Sequence, residues 1–175
     1  MYAVVVLLSD NVENELNELR SEFTTKLTIV SFPPHITLVY PFNASNKLSI
    51  RKSLESVTNH VKAFNIILSG VNYFESPDKV AFIDVRKIDS LLNLKDIVIQ
   101  SLTENGTYIP REVLDFHPHV TIATNIPNDI FTVMKKSYST YNKNFEVKVQ
   151  KIALATNNDN ANWRIESIYE LKDTN

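Results

Sequence analysis

Two histidines in this sequence are each followed, two residues later, by a threonine, within segments that match position by position. The segments are Pro34-His35-Ile36-Thr37-Leu38-Val39 and Pro118-His119-Val120-Thr121-Ile122-Ala123. In a strand, side chains two residues apart project from the same face. Each imidazole would therefore stand beside a hydroxyl group, while the residue between them faces the core.

Two such pairs meeting across a cleft could cleave a phosphodiester. One neutral imidazole would accept a proton from the attacking water or hydroxyl, and the other, protonated, would donate one to the departing oxygen. The threonine hydroxyls could donate hydrogen bonds to the non-bridging oxygens as negative charge develops there. This chemistry makes His35 and His119 candidate catalytic residues and Thr37 and Thr121 candidate phosphate-binding residues, with no metal or cofactor. The competing interpretation is that the histidines only satisfy hydrogen bonds in the core.

Further candidates for substrate contact lie close to the two motifs. Tyr40, Phe42 and Phe116 could stack on a base, although packing in the core or at its rim is the competing explanation. The loop from Glu104 to Pro118 carries Tyr108 and Arg111 and could act as a flap that grips a phosphate or a base.

His117 forms a His-x-His pair with His119, a pattern that can hold zinc. No acidic cluster or third spaced ligand accompanies the pair, and Pro118 interrupts regular strand geometry. We therefore predict no metal site, and we expect His117 to be a substrate-loop residue or a solvated one. His60 falls on the polar side of a predicted helix and should be exposed.

The elements that carry these motifs are predicted to occur in the same order twice. Hydrophobic periodicity indicates strand, helix, His-x-Thr strand, helix and strand in each half, followed by a closing strand. The predicted strands outside the motifs cover 2–9, 64–74, 79–86, 145–149 and 163–171, and the predicted helices carry apolar stripes at Val12/Leu16/Leu19/Phe23, Ile50/Leu54/Val57/Val61, 89–102 and 128–138. We predict an α+β fold with pseudo-repeats at about 1–75 and 79–171. Two antiparallel or mixed sheets would face a central cleft, with helices on the outside.

Composition restricts the class of protein. The 175 residues are 43% apolar and 22% charged, which suits one globular domain over 1–175. A net charge of -2 disfavours binding of long nucleic acid through general phosphate neutralisation. Two glycines are too few for a phosphate-binding glycine-rich loop, and the absence of cysteine excludes thiol chemistry. The apolar run from Tyr2 to Leu8 is far shorter than the roughly 20 residues that span a bilayer, so we expect no membrane association. The absence of cysteine agrees with a reducing compartment, and we expect a cytoplasmic protein. We also expect a monomer.

The two motifs resemble the signatures of the 2H phosphoesterase superfamily, in its 2′-5′ RNA ligase-like branch. The similarity rests on Pro34 to Leu38 followed by Tyr40-Pro41-Phe42, and on Phe116-x-Pro118 followed by His119 to Ala123. The resemblance implies a duplicated bilobal α+β fold, with His35 and His119 as the catalytic pair and Thr37 and Thr121 as the phosphate contacts. A basic residue often precedes the second Pro-His in relatives, and His117 occupies that place here.

The resemblance also implies an activity, which is metal-free hydrolysis of 2′,3′-cyclic phosphates, 2′,5′-linked oligonucleotides or related cyclic nucleotides. The expected partner is a nucleotide, a cyclic nucleotide or a short RNA. Three alternatives stay open: reversible 2′-5′ RNA ligation, a module that binds nucleotides without cleaving them, and a metal-dependent hydrolase. The sequence does not distinguish the proton acceptor from the proton donor, because the two halves are too alike.

Overall fold

The computed structural model describes residues 1–22, 32–110, 116–157 and 162–173. Within these ranges there are eight strands and four helices: β1 (Tyr2–Leu7), α1 (Asp10–Ser21), β2 (His35–Phe42), α2 (Lys47–Thr58), β3 (Phe64–Phe74), β4 (Val80–Arg86), α3 (Asp89–Glu104), β5 (His119–Ala123), α4 (Asn128–Ser137), β6 (Asn144–Val149), β7 (Lys151–Thr156) and β8 (Arg164–Glu170). The predicted order of elements is present twice, as β1-α1-β2-α2-β3 and as β4-α3-β5-α4-β6. The predicted α+β class is confirmed.

The strands form one antiparallel sheet in the order β6-β3-β4-β5-β2-β1-β7-β8. The two predicted sheets are the four-stranded halves of this sheet, which meet between β2 and β5. A single pair of residues, Ile36 and Val120, is in register there. The meeting point of the halves is therefore also the place where the two His-x-Thr motifs lie side by side.

The two sequence repeats do not each build one half of the sheet. β3, from the first repeat, pairs with β4 and β6 of the second, whereas β7 and β8 extend the sheet beyond β1. The boundaries at about 1–75 and 79–171 thus describe the order of elements and not two spatial lobes. Strand pairing between distant segments decides this arrangement, and the periodicity of a single segment carries no information about it.

All four helices contribute to one hydrophobic core on one face of the sheet. Their apolar stripes recur at helical spacing, as in Ile50, Leu54 and Val57 of α2, and pack with strand residues such as Ile36 and Val120. Fully burying a side chain such as Leu54 contributes about 1.5–3 kcal/mol. Since the helices occupy this face, the opposite face of the sheet is left for other contacts.

The local predictions differ from the structure in a few places. β7 was not predicted, because its continuous apolar run lacks the alternation of a half-buried strand. β3, in contrast, has the predicted bounds. Ser9 is not part of β1 and precedes α1 as its N-terminal cap residue. Phe23, the last residue of the predicted α1 stripe, lies outside the described residues. Among the helices described here, none is long and apolar enough to cross a membrane.

Candidate active site

The two His-x-Thr motifs present four side chains on the sheet face that the helices do not cover, called here the site face. Ile36 and Val120 are paired and fully buried in the core. Because side chains alternate along a strand, the residues on either side of each, namely His35, Thr37, His119 and Thr121, project to the site face and are half-buried. The first motif thus lies beside the second across the β2–β5 junction, as the sequence predicted.

The two imidazoles are held in the same way. Nδ1 of His35 lies 2.8 Å from the carbonyl oxygen of Pro33, and Nδ1 of His119 lies 2.7 Å from the carbonyl oxygen of His117. A carbonyl can only accept, so Nδ1 donates and carries a proton in both rings. In each neutral ring Nε2 is then the free acceptor, and it makes no hydrogen bond to any other residue that the structure describes. Neither threonine hydroxyl makes one either.

The prolines of the motifs explain this shared geometry. The accepting carbonyl belongs in each case to the residue before a proline, Pro34 or Pro118. Proline fixes its own φ and keeps the preceding residue extended. This local restriction places the carbonyl of residue i-2 beside the histidine ring.

Burial and neighbouring charges act differently on the two rings. Burial lowers the pKa of His35; the hydrogen bond to Pro33 opposes this, while the charges of Arg20 and His119 lower the pKa further. Burial also lowers the pKa of His119, the hydrogen bond to the His117 carbonyl raises it, the His117 ring lowers it and Asp84 raises it. The histidines are therefore near enough to interact electrostatically, and of the two rings only His119 is influenced by a carboxylate among the described residues.

A small polar network borders His119. Asp84 is paired with His119 in the β4–β5 register, and its two oxygens accept from Asn72 Nδ2 at 2.8 Å and contact His117 Nε2 at 3.2 Å. The His117 side chain is more than half exposed although it contacts Asp84, and a role of His117 toward a substrate stays a prediction. Its ring centroid lies 6.1 Å from that of His119.

Two phenylalanines pack around the same imidazoles. The ring centroids of Phe74 and Phe82 lie 5.3 and 5.1 Å from that of His119, and the two rings are 4.3 Å apart. On the other side, the Phe32 ring meets His35 edge-on at 4.8 Å. These contacts supply the desolvation that lowers the histidine pKa values.

Arg20 of α1 links the two motifs from behind. Its Nε and Nη2 donate to the carbonyl oxygen of Thr121 at 3.2 and 2.7 Å, and Nη1 donates to the carbonyl oxygen of Phe32 at 3.1 Å. Burial lowers the pKa of this guanidinium to about 10. The buried Arg20 side chain therefore holds the backbone at Phe32, just before the first motif, against the backbone of Thr121 in the second motif.

A pocket of about 180 Å³ opens on the site face next to the first motif. His35 and Thr37 line it together with Tyr40 and Trp163, and small residues of β1 and β7 form its floor. A larger hollow of about 320 Å³ at the start of α1 includes neither histidine. Lys148 and Lys151 line this hollow, and their ammonium groups lie 4.0 and 3.7 Å from carboxylate oxygens of Asp173 and Glu170.

The remaining predicted contacts have mixed outcomes. Tyr40 lies at the pocket, but Phe42 is 2% exposed and packs in the core beside Tyr2, so the prediction that it stacks on a base is wrong. The β1–β2 pairing shifts register twice, and each shift places an extra residue in β2. These bulges bring Tyr40 to the site face and return Phe42 to the core.

The candidates from the loop before the second motif do not gather at the histidines. Phe116 packs against the core, with Lys95 Nζ 4.9 Å from its ring centroid, which corrects the prediction of base stacking. Tyr108 is 75% exposed and borders a separate hollow with Asn46 and Asn105. Arg111 lies outside the described residues.

Metal ligands do not gather at this site. Across the described ranges, no group of three or more histidine, cysteine or carboxylate side chains is placed to hold an ion. The His117–Asp84 contact is a pairwise one, between Nε2 and a carboxylate oxygen.

Comparison with known proteins identifies the family. The model of the 2′-5′ RNA ligase superfamily matches residues 8–161, and the chain belongs to this superfamily. The predicted relation to the 2H phosphoesterases is thereby confirmed. A protein of Oceanobacillus iheyensis that bears the name “Putative phosphoesterase” is 23% identical over 172 residues, which cover 97% of each chain.

Solved structures share the fold. The structure of TT0787 of Thermus thermophilus superposes with a TM-score of 0.73 at 17% identity, covering 99% of both chains. Escherichia coli LigT in complex with 3′-AMP superposes with a TM-score of 0.66 at 12% identity, covering 97% of this chain and 96% of LigT. LigT has also been solved with ATP and with NADP+. Together with the names of the relatives, the family supports a phosphoesterase activity.

Sequence reasoning missed several residues that border the site. They are Arg20, Phe32, Asn72, Phe74, Phe82, Asp84 and Trp163. Phe32 lies three residues before His35, whereas the others come to the site from segments distant in sequence. Only Phe82 and Asp84 carried a usable signal, since they alternate with buried Ala81, Ile83 and Val85 along one strand.

Proposed function

We propose that the chain is a metal-independent phosphodiesterase. Its substrates would be 2′,3′-cyclic phosphates, 2′,5′-linked oligonucleotides or cyclic nucleotides, cleaved by His35 and His119 with Thr37 and Thr121 binding the phosphate. The observation that carries this proposal is the matched tautomer of the two rings. Both Nδ1–H groups are bonded to the backbone, and both Nε2 atoms are left on the site face.

The different surroundings of the rings suggest which of them donates the proton. Arg20 and His119 both disfavour the charged form of His35, whereas Asp84 favours the charged form of His119. We therefore assign His35 as the proton acceptor and His119 as the proton donor at the start of the reaction.

The proposed reaction conserves protons at every step. His35 Nε2 accepts the proton of the attacking water or ribose hydroxyl while that oxygen bonds to phosphorus, and the bond to the leaving oxygen breaks. His119 Nε2 gives its proton to that oxygen. The threonine hydroxyls donate to the non-bridging oxygens, which stabilises the charge of the transition state. Ligation would be the same path in reverse.

Nucleotide substrates are favoured by two observations. LigT, which shares the fold, has been crystallised with nucleotides. The site face also offers aromatic side chains beside the histidines, and aromatic rings bind bases by stacking.

A substrate panel tests the proposal. 2′,3′-cyclic, 3′,5′-cyclic and 2′,5′-linked adenosine phosphates are incubated with the protein, and the products are identified by chromatography. His35→Gln and His119→Gln should each lower kcat by about 100- to 10,000-fold. His60→Gln is the matched control, because His60 is exposed and its Nδ1 also bonds a backbone carbonyl. Unchanged turnover in either motif variant would exclude the mechanism.

A further inference from the structure

The pocket beside the first motif exists because two strands carry alanine where they face each other. Ala3 of β1 and Ala155 of β7 are paired across the sheet, and with Val5 they line the pocket on the site face. Larger side chains at these positions would fill the space. The hollow therefore depends on this pair of small residues, one in each strand.

The walls of the pocket are aromatic. Phe32, Tyr40 and Trp163 all line it, and Trp163 is the one tryptophan of the 175-residue sequence. Burial raises the pKa of Tyr40, so its hydroxyl stays protonated near neutral pH and can donate a hydrogen bond. Among the residues that the structure describes, no charged side chain lines the pocket apart from His35 when that ring is protonated.

We propose that this pocket holds the nucleobase of the nucleoside that carries the reacting phosphate. The proposal rests on the function proposed above, since it places the phosphate at His35 and Thr37, which line the same pocket. At about 180 Å³ the pocket is smaller than the roughly 300–1,000 Å³ that hold a drug-sized ligand, so it fits one ring system and not a whole nucleotide.

The asymmetry of the site face fixes the orientation of the substrate. The pocket side of the junction is apolar, whereas the side of His119 carries Asp84, Asn72 and His117. A flat base gains more from the apolar, aromatic side, and the leaving or attacking group lies toward the polar side. Stacking reads the face of a ring and not its edge, so we expect purines and pyrimidines to be accepted with modest preference.

Fluorescence of the single tryptophan tests pocket occupancy without any need for turnover. 3′-AMP and adenosine should quench Trp163 emission along a saturable curve, whereas inorganic phosphate should not. In Ala155→Leu, which fills the pocket floor, the affinity for 3′-AMP should fall by about 5- to 150-fold. Val133→Ala, an exposed position on α4, is the control and should match the unmodified protein. Equal quenching by phosphate, or an unchanged curve in Ala155→Leu, would overturn the proposal.

Kinetics with a base-free substrate separate this proposal from the function itself. Glycerol 1,2-cyclic phosphate has the reacting ring but no base. Trp163→Ala should reduce the ratio of kcat/KM for 2′,3′-cyclic AMP to that for the glycerol compound by about tenfold or more, and Trp163→Tyr should restore most of it. An unchanged ratio would refute the pocket assignment while leaving the phosphodiesterase standing. Quenching by 3′-AMP without turnover of either compound would refute the function and retain the pocket.

Discussion

Replacing Arg20 by methionine should destabilise the protein by about 1–6 kcal/mol. The guanidinium makes three hydrogen bonds to the carbonyl oxygens of Phe32 and Thr121, and charge-assisted bonds contribute about 1.5–3 kcal/mol each. The fall in its pKa from 12.5 to about 10 corresponds to a desolvation cost of roughly 3 kcal/mol, which methionine would not incur. The difference between these two quantities gives the expected loss.

The assay is urea unfolding, with the free energy obtained by linear extrapolation. Arg20→Lys should recover less than half of the loss, because one ammonium group cannot reproduce the fork that contacts two carbonyls. Arg164→Met, at an exposed position of β8, should stay within about 0.5 kcal/mol of the unmodified protein. An Arg20→Met variant as stable as that control would refute the conclusion that Arg20 joins the two motifs.

Three further predictions follow from the site. The alkaline limb of the kcat/KM profile should lie below pH 6.5, where His119 loses its proton. Asp84→Asn should move that limb to lower pH, because the carboxylate raises the pKa of His119, whereas the exposed control Asp173→Asn should not move it. A shift of the limb to higher pH in Asp84→Asn would contradict the assignment of His119 as the proton donor. Phe42→Ala should lower the free energy of unfolding in urea by about 3–5 kcal/mol, as expected for a ring in the core. A loss below about 1 kcal/mol would contradict the placement of Phe42 in the core. Prolonged treatment with EDTA should leave turnover of 2′,3′-cyclic AMP unchanged, and loss of activity that zinc restores would require a metal site.

The pair of motifs could be predicted from sequence because its information is local. A histidine and a threonine two residues apart share a face of any strand, and the preceding proline restricts the backbone within the same segment. The duplicated order of elements could be predicted for the same reason, since each amphipathic helix and strand reveals its own period. The structure adds that the strands of the two motifs, β2 and β5, are neighbours.

The surroundings of the motifs could not be predicted because they depend on pairing between distant strands. Asp84 meets His119 only through the β4–β5 register, and Ala3 meets Ala155 only through β1–β7. Arg20 resembles a solvent-facing residue in the last turn of α1 until the strand beneath it is known. Simple alternation from Ile36 already places Phe42 on the core face, whereas Tyr40 reaches the site face only because of a bulge in β2.

The interleaving of the repeats also explains why the two imidazoles can differ although their motifs match. His35 lies in the half of the sheet extended by β7, with Ala153 and Ala155 on its site face, and His119 lies in the half extended by β3, which carries Asn72. The two imidazoles therefore have the same local hydrogen bond, but His35 has apolar surroundings and His119 has polar ones. A pair of unequal proton affinities is what acid-base catalysis requires.

Nitrogen-15 NMR of the histidine side chains tests the central claim most directly. The free protein should show protonated Nδ1 and unprotonated Nε2 in the neutral rings of His35 and His119. On titration with 3′-AMP, both Nε2 resonances should shift along one binding curve, because one phosphate would contact both rings, while His60 should not respond. A response from only one of the two motif histidines, or two curves with different midpoints, would contradict a shared phosphate site.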